Sequence, residues 1–282
     1  MPVPRSAVAD AYARLTEVLP GLAITEPDTG DPLPSGDGWI TAASLAAGGT
    51  GLDAFLAWDD AQVQRDYGQQ ARPDVVASFG LHRYAWPACL LITVPWFLHR
   101  RVPRFPVTHV SYNRTVPGLS MGRLAARPDG FACLPGDPAA ALPGATVVAD
   151  EEALRAELRA AVAEHFEPVL AAFGPRMRRR GRALWATTTD EIVEGLWYVA
   201  DLLGERERAK RELELLLPGA TKPYVGSAAF RELTGPNGES LPTRDRASCC
   251  MFYTLRPEDT CTTCPRTCDA ERVVKLVAAV AG

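Results

Sequence analysis

The sequence predicts an α+β fold, predominantly α-helical, with a small antiparallel sheet and a cysteine-bearing C-terminal segment. Three observations carry this expectation. Leu154, Leu158, Val162, Phe166, Val169, Leu170 and Phe173 recur at spacings of three and four, as one buried face of a helix requires. Between 107 and 150, stretches such as VTHVSYNR and ATVVAD are rich in β-branched and aromatic residues and bounded by Pro and Gly, which predicts three or four short strands. Cysteines crowd the tail: of the 7 in the chain, Cys249, Cys250, Cys261, Cys264 and Cys268 fall within one short stretch.

Taken in order, residues 6–19 place Val8, Tyr12, Leu15 and Leu19 on one helical face. The stretch 20–37 is so rich in Pro, Gly and Asp that it reads as a loop. Residues 41–67 carry helical pieces around Gly48-Gly49, and 72–98 carry apolar stretches in which Pro87 and Pro95 should end or kink a helix. After the strands, Asp150 can cap a helix over 151–173, with Glu151 and Glu152 at its positive end and Gly174-Pro175 closing it. Further helices are expected over 189–203 and 205–217, then a Pro- and Gly-containing stretch over 218–242 that leads to the cysteines, and a last helix over 269–280. This divides the chain into a mostly helical portion, 1–240, loop-rich over 20–40, and a C-terminal segment, 241–282, packed on it.

Composition narrows the function. A chain of 282 residues with 47% hydrophobic and 23% charged residues is ordinary globular usage, not disorder. Lys and Arg number 30 against 34 Asp and Glu, a net charge of -4, whereas a nucleic-acid binder would show a basic surplus. The opening MPVPRSAVADAYARL lacks a continuous apolar core, so no export signal is expected and the protein is placed in the cytoplasm. The apolar run 85–98 falls short of the roughly 20 residues of a membrane span. In a reducing compartment, closely spaced cysteines are metal ligands or redox groups rather than disulfides.

Cys249, Cys250, Cys261 and Cys264 form a C-C-x10-C-x2-C pattern. A C-x2-C turn lets two thiolates converge on one centre, and the longer excursion can bring the adjacent pair alongside. Neighbouring side chains of a strand point to opposite faces, so Cys249 and Cys250 share a centre only if the backbone bends. Four soft thiolates suit zinc or an iron-sulfur cluster. Spacing favours iron-sulfur, because structural zinc takes paired C-x2-4-C knuckles and only one such pair is present.

The same pattern near a C-terminus, after a mostly helical region, resembles the FhuF family of ferric-siderophore reductases. A weaker similarity lies in RALWATTTDEI around Trp185. The resemblance implies a [2Fe-2S] cluster held by Cys249, Cys250, Cys261 and Cys264, acting catalytically through the cluster. It also implies one-electron reduction of siderophore-bound Fe(III), with iron released in the cytosol. Cys268 has no place in that pattern, so a ligand swap or a [4Fe-4S] cluster stays open. The charge balance disfavours a strongly anionic tris-catecholate and leaves a hydroxamate siderophore as the expected substrate. GGTG at 48–51 lacks the spacing and preceding strand of a dinucleotide fingerprint, which implies an external donor such as a ferredoxin. The competing readings are an iron-sulfur carrier or sensor without its own substrate, and a zinc-stabilised siderophore-binding module.

Elsewhere, Cys89 and Cys133 read as small core residues. His82, His99, His109 and His165 lack a ligand partner at helical spacing and read as packing or hydrogen-bonding groups. Trp185, Trp197 and Tyr198 read as core, and Phe252 and Tyr253 as neighbours of the cluster or substrate. Arg176, Arg178, Arg179, Arg180 and Arg182 read as a solvated turn or as a docking site for an acidic partner. The second basic stretch, Arg100, Arg101 and Arg104, carries the same two readings.

Overall fold

The computed structural model describes residues 6–28, 30–116 and 118–281. Residues 1–5 and 282, at the outer ends of the two expected divisions, and Thr29 and Pro117 lie outside the described residues. The chain runs α1 Ala9–Val18, β1 Leu22–Thr25, β2 Trp39–Thr41, α2 Ala42–Ala47, α3 Gly49–Tyr67 and α4 Pro73–His99. Then follow β3 Arg101–Pro103, β4 Val110–Asn113, β5 Gly122–Ala126, β6 Phe131–Cys133 and β7 Ala145–Val147. Helices α5 Glu151–Met177, α6 Gly181–Leu202 and α7 Arg206–Leu216 lead to strands β8 Phe230–Thr234 and β9 Ser240–Arg244, and α8 Asp269–Ala281 ends the described chain. Helices dominate and the strands form small sheets, as the α+β expectation requires.

Helix α4 is the axis of the molecule, packed by α1, α3, α5 and α6. Most of its residues are buried, and away from its ends only the stripe through Phe79, His82, Arg83 and Trp86 stays partly open. By length and composition it could cross a membrane, but 78% of its apolar window is buried inside the protein, so it serves as the core helix. The prolines do not break it, contrary to expectation. Pro95 removes the N–H that would bond the Leu91 carbonyl, and the Tyr12 hydroxyl of α1 donates to that oxygen at 2.8 Å instead. Tertiary packing replaces what local propensity denies. Gly80 allows α3 to lie close, because a Cβ there would come within 2.8 Å of the Asp59 carboxylate.

The α5 stripe is buried as expected, and the Asp150 carboxylate accepts from Ala153 N at 2.9 Å, as a capping residue does. Gly174-Pro175 does not end α5, which continues to Met177 and closes at Arg178 with φ 51. Helix α6 begins at Gly181 rather than near 189. The hydroxyls of Thr187, Thr188 and Thr189 donate back to the carbonyls of Ala183, Leu184 and Trp185, so buried threonines continue the helix without unpaired groups.

The expected loop over 20–37 contains a strand, and the Pro- and Gly-containing stretch over 218–242 holds more. Within 20–37, β1 pairs parallel with β5, and the 218–242 stretch holds β8 and the start of the antiparallel β8–β9 hairpin. The sheet is therefore not one antiparallel unit. A four-stranded sheet in the order β1-β5-β4-β2 and a three-stranded β3-β6-β7 each contain one parallel pair. Pro242 is tolerated because the hairpin has two edges and no central strand.

Candidate metal centre

The cysteine-bearing segment leaves β9 and is fixed to α6 by one carboxylate. Asp190, fully buried, pairs with the equally buried Arg244 at 2.7 Å. It also accepts from Ala247 N at 3.1 Å, Ser248 N at 2.7 Å and the Ser248 hydroxyl at 2.6 Å. A charge taken out of water is tolerated only when its oxygens are filled, and these are. Helix α8 secures the other end. Arg272 donates to the Cys264 carbonyl at 3.0 Å and to Asp245 at 2.7 Å, and Lys275 bonds the Thr260 carbonyl and, at 2.9 Å, the Thr260 hydroxyl. Cys264 N donates to the Cys261 carbonyl at 3.1 Å, the turn expected of a C-x2-C pair.

These anchors place Cys249, Cys250, Cys261 and Cys264 on the wall of one cavity of about 590 Å³. The bend required near the adjacent pair falls on Met251, whose φ is 69, a conformation costly for a side chain with a Cβ. Ser78 of α4 holds the turn by donating to the Cys250 carbonyl at 3.2 Å. Cys264 is buried, Cys249 and Cys250 are half-buried, and Cys261 is exposed. Cys268 is exposed and lies outside the cavity wall.

Burial pushes the Cys250 thiol up, while the Phe252 N–H and the Arg246 guanidinium draw it back toward the thiolate. Arg246, although burial disfavours its charge, is held strongly protonated by Glu191, Asp190 and Glu194. Helices α4 and α6 line the same cavity: His82, Arg83, Trp86 and Pro87 from the first, Glu191 and Glu194 from the second. His82 pairs with Glu191 across the two helices, so the histidine read as a packing residue stands in the cavity wall.

Phe252 and Tyr253 also line the cavity, and Phe252 packs edge-on against Tyr67 at 5.7 Å. Trp185 and Trp197 are partly buried against the core, but Tyr198 is 47% exposed and is not a core residue. Cys89 and Cys133 are buried. His165 is buried, accepting from the Tyr84 hydroxyl and donating to the Phe105 carbonyl, each at 2.7 Å.

The residues sequence reading missed are Asp190, Glu191, Arg244, Arg246 and Arg272. Their signal was present as two adjacent carboxylates inside an apolar helix and an Arg-Asp-Arg triplet just before the cysteines.

Among the described residues, no three His, Cys, Asp or Glu side chains are disposed to hold a metal ion as they stand. What the four thiols share is the cavity wall, and that donor set fits an iron-sulfur cluster in number and softness. Residues 246–266 match the family model of the FhuF 2Fe-2S C-terminal domain, which supports a [2Fe-2S] cluster and an FhuF-like family. No curated protein matches the chain.

Proposed function

We propose that this protein is a cytosolic ferric-siderophore reductase that delivers single electrons to siderophore-bound Fe(III) from a [2Fe-2S] cluster. One observation carries the reading: the four thiols of the family-matched segment face the same open cavity as Trp86, Phe252, Tyr253 and a set of paired charges. A bare electron carrier has no use for a cavity of about 590 Å³, a size typical of small-molecule sites.

Cys249, Cys250, Cys261 and Cys264 would hold the cluster, which supplies one electron at a time when bound. The chain's own residues do the rest. Asp190 and Arg272 fix the two ends of the ligand-bearing segment. The Phe252 N–H and Arg246 stabilise negative charge on the Cys250 sulfur. Trp86, Phe252 and Tyr253 offer apolar surface to a chelate.

Hard oxygen donors bind Fe(III) far more tightly than Fe(II), so adding an electron loosens the substrate's iron. Three carboxylates, Glu191, Glu194 and Asp259, stand against two guanidiniums, Arg83 and Arg246, around the cavity, which therefore has no cationic surplus. This balance supports a weakly charged hydroxamate complex over a tris-catecholate trianion. The test is stopped-flow mixing of reduced protein with a ferric hydroxamate and a ferrous trap. Reoxidation in step with Fe(II) capture is expected; reduced protein that stays reduced overturns the reading.

A further inference from the structure

We propose that Arg178, Arg179, Arg180 and Arg182, on the turn joining α5 to α6, form the docking surface for an acidic one-electron carrier protein. The inference rests on the reductase reading and adds where its electron enters.

The chain is acidic overall, 30 Lys and Arg against 34 Asp and Glu, yet five arginines are concentrated between 176 and 182. Arg176 spends its charge on Asp53 at 2.6 Å. Among the described residues, Arg178, Arg179, Arg180 and Arg182 have no carboxylate partner, and all four are exposed. The turn is fixed in shape: Arg178 takes the left-handed conformation that closes α5, and Arg179 N donates to the Gly174 carbonyl at 3.1 Å. Arg178, Arg179 and Arg180, with Trp185 and Glu167, line a surface depression of about 520 Å³.

Position makes the patch relevant. The Arg179 guanidinium lies 3.2 Å from the sulfur of Met251, the residue after Cys250. A negatively charged protein steered onto this turn would therefore arrive beside the ligand-bearing segment, where electron transfer needs it. Gly48-Gly49 joins two helices, α2 and α3, instead of a strand to a helix, so it does not offer the geometry of a dinucleotide site. The patch lies outside the cysteine-lined cavity, so a protein bound there leaves the cavity free for substrate. In the step itself the carrier loses one electron and this protein gains one; no atom or proton moves.

The test uses the variant Arg178→Glu/Arg180→Glu/Arg182→Glu, which alters exposed side chains and leaves Arg179 against Met251. The probe is an acidic plant-type ferredoxin. Its oxidised form is titrated calorimetrically against each protein, and its reduced form is mixed with each in stopped flow at low and high salt. We expect the variant to lose ferredoxin binding, to accept electrons at least tenfold more slowly at low salt, and to show a flattened salt dependence. Oxidation of the chemically reduced variant by a ferric hydroxamate should keep the wild-type rate. Unchanged ferredoxin binding and rate would overturn the proposal, as would slowing confined to the ferric hydroxamate, which would assign the arginines to substrate. A preparation without a visible chromophore would sink the reductase reading, while the calorimetric arm would still decide this one.

Discussion

The Asp190 carboxylate, inside α6, accepts both the backbone N–H and the hydroxyl of Ser248, the residue directly before Cys249, at 2.7 and 2.6 Å. A single buried anion thus positions the adjacent cysteine pair, and Arg244 neutralises it with neither group exposed. Removing one partner of such a pair strands the other charge. Asp190→Ala is expected to cost about 3–5 kcal/mol in urea unfolding. Limited proteolysis should then cut between 241 and 268 before the helical core opens. A loss below about 1 kcal/mol would show that the pair is not what holds the segment.

The placement of the cysteines separates ligand from bystander. Replacement of Cys249, Cys250, Cys261 or Cys264 by Ser should each abolish or sharply lower bound iron and acid-labile sulfide. Cys268→Ser should leave both at wild-type levels, because Cys268 stands outside the cavity that the other four line. Retained iron in any of the first four variants, together with its loss in Cys268→Ser, would reverse the assignment.

Local spacing makes several of these features legible in the amino-acid sequence. The α5 stripe, the α1 face around Tyr12 and Leu15, and the four thiols all follow from it, because a period of 3.6 or a C-x2-C turn is a local property. What stays hidden is decided by distant partners. Nothing within 20–37 announces β1, whose pairing is with β5, about a hundred residues on. The continuity of α4 through Pro95 depends on a hydroxyl from α1. His82 looks unremarkable until α6 brings Glu191 to it.

That hydroxyl gives a direct test of the α4 account. Tyr12→Phe keeps the ring in the core and removes only the donor to the Leu91 carbonyl, which Pro95 cannot supply. A buried carbonyl left unpaired costs about 1–3 kcal/mol, and denaturant unfolding should show a loss in that range. A neutral substitution would mean that the helix distorts or hydrates at Pro95 without needing the tyrosine.

His165 predicts an acid-side loss of stability whose sign follows from its surroundings. Burial lowers its pKa from 6.5 to about 4, partly opposed by the bond to the Phe105 carbonyl. The ring is neutral, Nδ1–H donating to Phe105 O and Nε2 accepting from Tyr84, whose own hydroxyl burial keeps protonated. Above pH 6.5 neither state holds the proton and the stabilisation is complete. As pH falls from 6.5 toward 4, the unfolded chain takes up a proton that the native ring refuses, so stability drops by roughly 1.4 kcal/mol per unit. Below about 4 the contribution of this group levels off. Urea unfolding at about pH 7.5, 6.0 and 5.0 should show wild-type stability falling more steeply than that of His165→Gln, with the two diverging by about 2 kcal/mol at the acid end. Parallel curves would mean that the native ring accepts the proton as readily as the unfolded one, which its closed pairing between Tyr84 and Phe105 should forbid.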